Sequence, residues 1–184
     1  MRASDMVYIT AASMLLVSCS TWSPVDRDTK PQEETIQVAF NPSAVVFLPA
    51  SHHGEWRGDN RLWVMDPETP YRSTGSARVS TDVIEYRWEH EGKPHSGEIV
   101  LSGQPAALEA RWTDTWHSKE PMILHGYAEN GRISLYGTYS AGEYGAWGWQ
   151  IEIDVQDRES FFLRMRNVVP ELGPVPAVIL HATR

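Results

Sequence analysis

Downstream of Trp56, apolar and polar side chains alternate with a period of two. Trp147, Trp149, Ile151, Ile153 and Val155 share one parity, and Gly148, Gln150, Glu152 and Asp154 the other. That is a strand with one buried and one wetter face. The same rhythm sets Ile84, Tyr86 and Trp88 against Glu85, Arg87 and Glu89, sets Leu108, Ala110 and Trp112 against Glu109, Arg111 and Thr113, and recurs at Ile133 and Leu135. Asn130-Gly131 is a two-residue hairpin signal, with looser turns at Glu91-Gly92-Lys93-Pro94 and Gln156-Asp157. No segment has the period of an amphipathic helix. Strands are expected near 54–65, 75–80, 82–90, 96–102, 106–114, 121–128, 131–139, 146–155, 160–168 and 175–183. About ten short strands joined by tight turns suit an all-β, single antiparallel up-and-down barrel, because closure removes exposed edges and no connection has Greek-key length.

The first residues follow a different pattern. A polar start containing Arg2 leads into an apolar stretch, Val7 to Val17, and then Ser18-Cys19. The stretch is too short for a comfortable permanent span and ends in small residues, as a processed export signal does. Leu16-Val17-Ser18-Cys19 resembles a bacterial lipobox. The resemblance implies that residues 1–18 are removed and that Cys19 becomes a lipidated first residue, anchoring the chain through acyl chains worth ~0.8 kcal/mol per buried methylene. Ser20 stands where Asp would signal inner-membrane retention, so the likeness implies the outer membrane, facing the periplasm. Residues 19–43, with Pro24, Pro31 and Pro42 among polar side chains, read as a flexible tether. Residues 44–184 are left for one barrel domain.

Composition narrows the function. The formal charge of −8 is unchanged by loss of the signal, because Arg2 and Asp5 cancel. No basic surface is left to recruit nucleic acid. A single Cys excludes an internal disulfide framework and any multi-Cys metal site. Eight Trp and seven Tyr supply large rings with polar edges, suited to a core or to the lining of a binding site.

Gly54-Glu55-Trp56 resembles the G-x-W opening of calycin barrels such as lipocalins. There the Gly permits close backbone approach, and the Trp plugs one end beneath a late basic residue. Arg184 would be that residue here, closing the barrel by a cation–π contact. From about Gly54 onward the chain resembles the calycin-like family known as domain of unknown function 1579. The likeness rests on Asp114-Thr115-Trp116-His117, Trp147-Gly148-Trp149 and Met165-Arg166-Asn167-Val168, in that order. It implies a fold and little chemistry. A more distant likeness, through Gly54-Glu55-Trp56-Arg57-Gly58, is to nitrobindin-like haem-binding barrels, whose axial His comes from the last strand. His181 would take that place, although Asp59-Asn60 departs from the further Gly expected there.

Motifs for common enzyme chemistry are missing. His90-Glu91-Gly92-Lys93-Pro94-His95 has the wrong spacing for a zinc-protease helix, and its Gly and Pro make a hairpin instead. Its histidines, with His52 and His53, read as hydrated loop residues. The sequence contains no nucleophile elbow, phosphate loop or dinucleotide turn. Asp114 and His117 are the remaining reactive pair, but three residues apart on a strand they face opposite ways unless the chain bends after Trp116.

The leading expectation is a non-catalytic, lipid-anchored barrel without a cofactor, binding a small apolar or amphipathic molecule. Trp116, His117, Trp147 and Trp149 would ring the mouth, with Asp114 and Asn167 orienting the ligand. The alternatives are a haem barrel using His181, and an envelope interaction module with a filled barrel.

Overall fold

The computed structural model describes residues 48–64 and 68–184. Residues 1–18, expected to be an export signal, and residues 19–43, expected to be a lipidated Cys19 and its tether, lie outside the described residues. Ten strands follow one another: β1 (Gly54–Leu62), β2 (Tyr71–Val79), β3 (Val83–His90), β4 (Lys93–Gln104), β5 (Ala107–Asp114), β6 (Ser118–Glu129), β7 (Arg132–Ser140), β8 (Ala146–Asp154), β9 (Ser160–Val169) and β10 (Gly173–Thr183). Each is antiparallel to its neighbours, and β1 pairs with β10 from Arg57↔Thr183 to Leu62↔Val178, closing an up-and-down barrel. At the β6–β7 hairpin, Asn130 and Gly131 both take positive φ, 50° and 75°, as a tight two-residue turn requires.

Four strands, β2, β4, β6 and β10, begin earlier than the alternation suggests. In β2 the inward positions include Tyr71, Ser73 and Gly75, which carry no greasy rhythm to read. In β4, Pro94 would normally argue against a strand. However, β4 pairs with β3 from Lys93 but with β5 only from Gly97, so the proline lies where one side has no partner to receive an N–H. Pro174 and Pro176 of β10 likewise precede Val178, where the pairing with β1 ends.

One end of the barrel is plugged. Trp56 is fully buried, and its indole N–H donates to His52 O at 2.8 Å. The His52 ring stacks on it at 5.4 Å between centroids. The Arg184 guanidinium lies 4.5 Å from the Trp56 ring centroid while donating to His53 O at 2.8 Å. His52 is itself buried, with Nε2 donating to Asp157 O at 2.9 Å, so it belongs to the plug rather than to a hydrated loop.

The glycines of the opening motif act differently from the expectation. Gly54 adopts φ +119°, and a Cβ there would meet nothing within 4 Å, so its conformation rather than close approach calls for glycine. Close approach falls at Gly58, where a Cβ would lie 2.0 Å from His181 O.

Above the plug the barrel is filled. Trp56, Ile84, Ile99, Ala110, Ile151 and Phe161 expose 0% of their surface, so no water-sized void borders them. Removing the Trp56 ring therefore leaves a cavity. Trp56→Ala should lower stability by ~3–5 kcal/mol and Arg184→Ala by about 1 kcal/mol, read as midpoint shifts in urea unfolding followed by circular dichroism.

Candidate functional site

The mouth end, opposite the plug, gathers the turns between β3 and β4, β5 and β6, β7 and β8, and β9 and β10. Inward positions near this end change from aliphatic to aromatic and polar: Tyr86 and Trp88 on β3, His95 on β4, Trp112 and Asp114 on β5, Tyr139 on β7, Trp149 on β8 and Asn167 on β9.

Asp114 is the organising group. Tyr86, Gly97 and Asp114 stand in one row across β3, β4 and β5. A Cβ on Gly97 would lie 2.1 Å from the Tyr86 hydroxyl, so glycine at that position lets the phenol cross β4 and donate to Asp114 Oδ2 at 2.7 Å. The same hydroxyl accepts the Trp112 indole N–H at 2.8 Å. At Asp114 the strand ends, and the register against β6 slips by a bulge. Oδ1 then accepts the backbone N–H groups of Trp116 at 2.7 Å and His117 at 2.9 Å, fixing a tight turn. That turn brings His117 back over the carboxylate, with Nδ1 3.1 Å from Oδ1. The bend that a continuous strand would forbid is thus made by the aspartate itself.

The electrostatics follow from these contacts. Burial raises the Asp114 carboxyl pKa, but hydrogen bonding and charge from His117, the Tyr86 hydroxyl and the His117 backbone N–H outweigh it and leave the pKa below its ordinary value. Tyr86 is pushed well above the ordinary phenol range by burial, by the Asp114 charge and by its bond to that carboxylate, against a smaller opposing effect of Trp112, so it remains a donor. Burial also raises Tyr139.

Around this core the rings interlock. His117 lies 5.0 Å from Trp149, 6.1 Å from Trp112 and 6.2 Å from Trp88, centroid to centroid. Trp112 and Trp149 stack at 4.9 Å, and Trp88 stacks on His95 at 4.6 Å. Trp116, 39% exposed, sits edge-on against Trp88, His90 and His95 and screens them from solvent. Within this cup three buried groups have no hydrogen-bond partner among the described residues: Trp88 Nε1, Trp149 Nε1 and His95 Nε2. Both tryptophans are nearly inaccessible, at 4% and 2%.

Of the residues singled out from sequence, Asp114, Trp116, His117 and Trp149 meet directly. Trp147 and Asn167 flank them through Tyr139, whose hydroxyl donates to Asn167 Oδ1 at 2.5 Å and whose ring contacts both Trp147 and Trp149. Tyr86, Trp88, Trp112 and His95 join the site beyond the residues expected from sequence. The signal for the first three is their shared inward parity combined with polar ring edges. His95 is not the hydrated loop residue expected: it pairs with Trp88 inside the hairpin.

His181 is a correction. It projects from the outer face, exposed and stacked on Phe162 at 4.0 Å, while Leu180 and Ala182 on either side point inward. A haem inside the barrel would find no axial ligand there. Among the described residues no group of three or more His, Cys, Asp or Glu side chains is arranged to hold a metal ion.

No protein-family model matches the chain, and no curated protein matches it.

Because the folded pKa of Asp114 lies below its unfolded value, the stabilisation from its ionised form is complete above the ordinary carboxylate range and is lost as pH falls through the folded value. Asp114→Asn should therefore lower stability at neutral pH by about 2–3 kcal/mol. The gap from wild type should narrow on acidification; thermal melts across the acid range would show it.

Proposed function

We propose that the chain is an exported lipoprotein whose barrel mouth holds a small amphipathic molecule without transforming it. One observation carries this reading: the Trp88 and Trp149 indole N–H groups are buried among the aromatic rings of the mouth and have no acceptor among the described residues. A buried donor left unpaired costs about 1–3 kcal/mol. A ligand oxygen reaching either indole would recover that loss, while the more exposed Trp116 and Trp147 offer ring surface to an apolar body. The filled centre restricts the occupant to the mouth and so to a small molecule. Membership of the calycin-like family suggested by the sequence belongs to the same proposal. It is supported by the convergence of all three motifs on this end: Asp114, Trp116 and His117 from the first, Trp147 and Trp149 from the second, Asn167 from the third.

Native mass spectrometry of the full chain, gently extracted from membranes, tests the binding. The expected result is a small-molecule adduct. Trp149→Phe, which removes the N–H and keeps most of the ring, should weaken retention about tenfold, the equivalent of ~1.4 kcal/mol. Wild-type protein with no adduct, in an extract that retains lipids on other proteins, would sink the reading.

Anchoring through Cys19 at the periplasmic face of the outer membrane is the second half of the proposal. Cells fed an alkyne-tagged fatty acid should label the wild-type chain and release an unlabelled, soluble Cys19→Ala variant; equal labelling of both would refute it. The filled-barrel interaction reading draws on a separate observation, the exposed Ile123, Tyr127 and Tyr136 on the outer face of β6 and β7. Concentration-dependent association without an adduct would favour it.

A further inference from the structure

Asp114 fixes the protonation pattern of its neighbour. An ionised carboxylate only accepts, and Oδ1 already takes two backbone N–H groups while Oδ2 takes the Tyr86 hydroxyl. The hydrogen between Oδ1 and His117 Nδ1 therefore belongs to the imidazole. In the neutral ring this leaves the lone pair on Nε2. An oriented imidazole with Nδ1–H on a buried carboxylate is the arrangement of a base. Here the base, its side chain 15% exposed, has its ring centroid 5.0 and 6.2 Å from those of Trp149 and Trp88, whose indole N–H groups have no acceptor among the described residues.

We infer that His117 is the proton-accepting group of the mouth, and that the ligand is a small flat molecule bearing a weakly acidic hydroxyl, a phenol or an enol. This rests on the reading of the mouth as a binding site and names its ligand class. On binding, the ligand O–H bond breaks and its electron pair stays on oxygen. The proton forms an N–H bond at His117 Nε2. The imidazolium is then held by Asp114, and the oxyanion accepts the Trp149 and Trp88 indole N–H groups. A permanent carboxylate would add a second negative charge beside Asp114, whereas an acidic hydroxyl brings its own proton and leaves the net charge of the cup unchanged. The indole walls suit a flat ring. Among the described residues, other titratable groups near this end include Tyr86 and His90 on β3, His95 on β4, Glu120 on β6 and Tyr139 on β7.

The full chain titrated with 4-nitrophenol, whose phenolate is yellow and whose neutral form is not, tests this directly. Below the ionisation midpoint of the free phenol, saturating protein should turn the bound probe yellow. His117→Gln, which keeps a donor toward Asp114, should bind the probe colourless, and Trp149→Phe should weaken binding about tenfold. Wild type gives a second measurement that needs no variant. Above that midpoint, calorimetry in two buffers of different ionisation enthalpy should show one proton taken up per phenolate bound. A colourless wild-type complex, an equally yellow His117→Gln complex, or no proton uptake overturns the inference while the mouth remains a binding site. The same follows if 4-nitroanisole binds, having the same outline and no acidic hydrogen, and 4-nitrophenol does not. If neither probe binds, the inference and the binding reading fail together.

Discussion

The pairing of β1 with β10 is the constraint on which the rest of this structure depends. Until those two strands meet, the sheet has two edges with unsatisfied N–H and C=O groups, and the faces of its strands are not yet an inside and an outside. Once Arg57 faces Thr183 and Leu62 faces Val178, every odd–even choice along the chain is fixed, because a slip of one residue would turn the buried set outward. The bare backbone at Gly58 makes this approach possible, since any side chain there would collide with the carbonyl of His181. The contact of Arg184 with Trp56 then caps the seam, tying the last residue of the chain to the opening of the first strand.

Closure creates a gradient along the barrel axis. At the plugged end the interior is aliphatic and aromatic packing, and polar atoms such as Trp56 Nε1 and His52 Nε2 are paired with backbone carbonyls. At the mouth the interior becomes polar, and the polar atoms are treated unequally. Asp114 receives four donors, whereas the indoles of Trp88 and Trp149 have no acceptor among the described residues. Proteins satisfy buried polar groups almost without exception. A site in which one carboxylate is saturated while neighbouring donors are left open is what supports the proposed acceptor from outside the chain. The same saturation gives His117 its orientation.

The outer face follows a different logic. Its charges form exposed pairs, such as Arg78 with Glu55 at 2.6 Å and Arg111 with Glu98 at 3.4 Å, which contribute little to stability in water. They keep a barrel with an aromatic interior soluble along most of its circumference. The stretch around Ile123, Tyr127 and Tyr136 interrupts that cover.

Much of this architecture was legible in the residues because a strand writes its buried face into every second position. The runs around Trp88, Trp112 and Ile151 could be read as strands without coordinates, and Asn130-Gly131 as their turn, since few residues tolerate positive φ. The early part of β2 and the Pro94 stretch of β4 were not legible: small or polar inward residues carry no rhythm, and a proline is excluded or tolerated according to whether a neighbour strand lies beside it. The site divides in the same way. Asp114, Trp116, His117 and Trp149 stood out by type and spacing, but the bend uniting Asp114 with His117 depends on where β5 ends. The outward face of His181 depends on the register against β1. The sequence by itself determined most of the strands, their up-and-down succession and the inward sets of the greasy ones, because those depend on local alternation and turn chemistry. Only the tertiary structure decided which way His181 faces, that Tyr86 reaches Asp114 across Gly97 and that two indoles are buried without acceptors among the described residues, because those facts depend on which strands lie side by side.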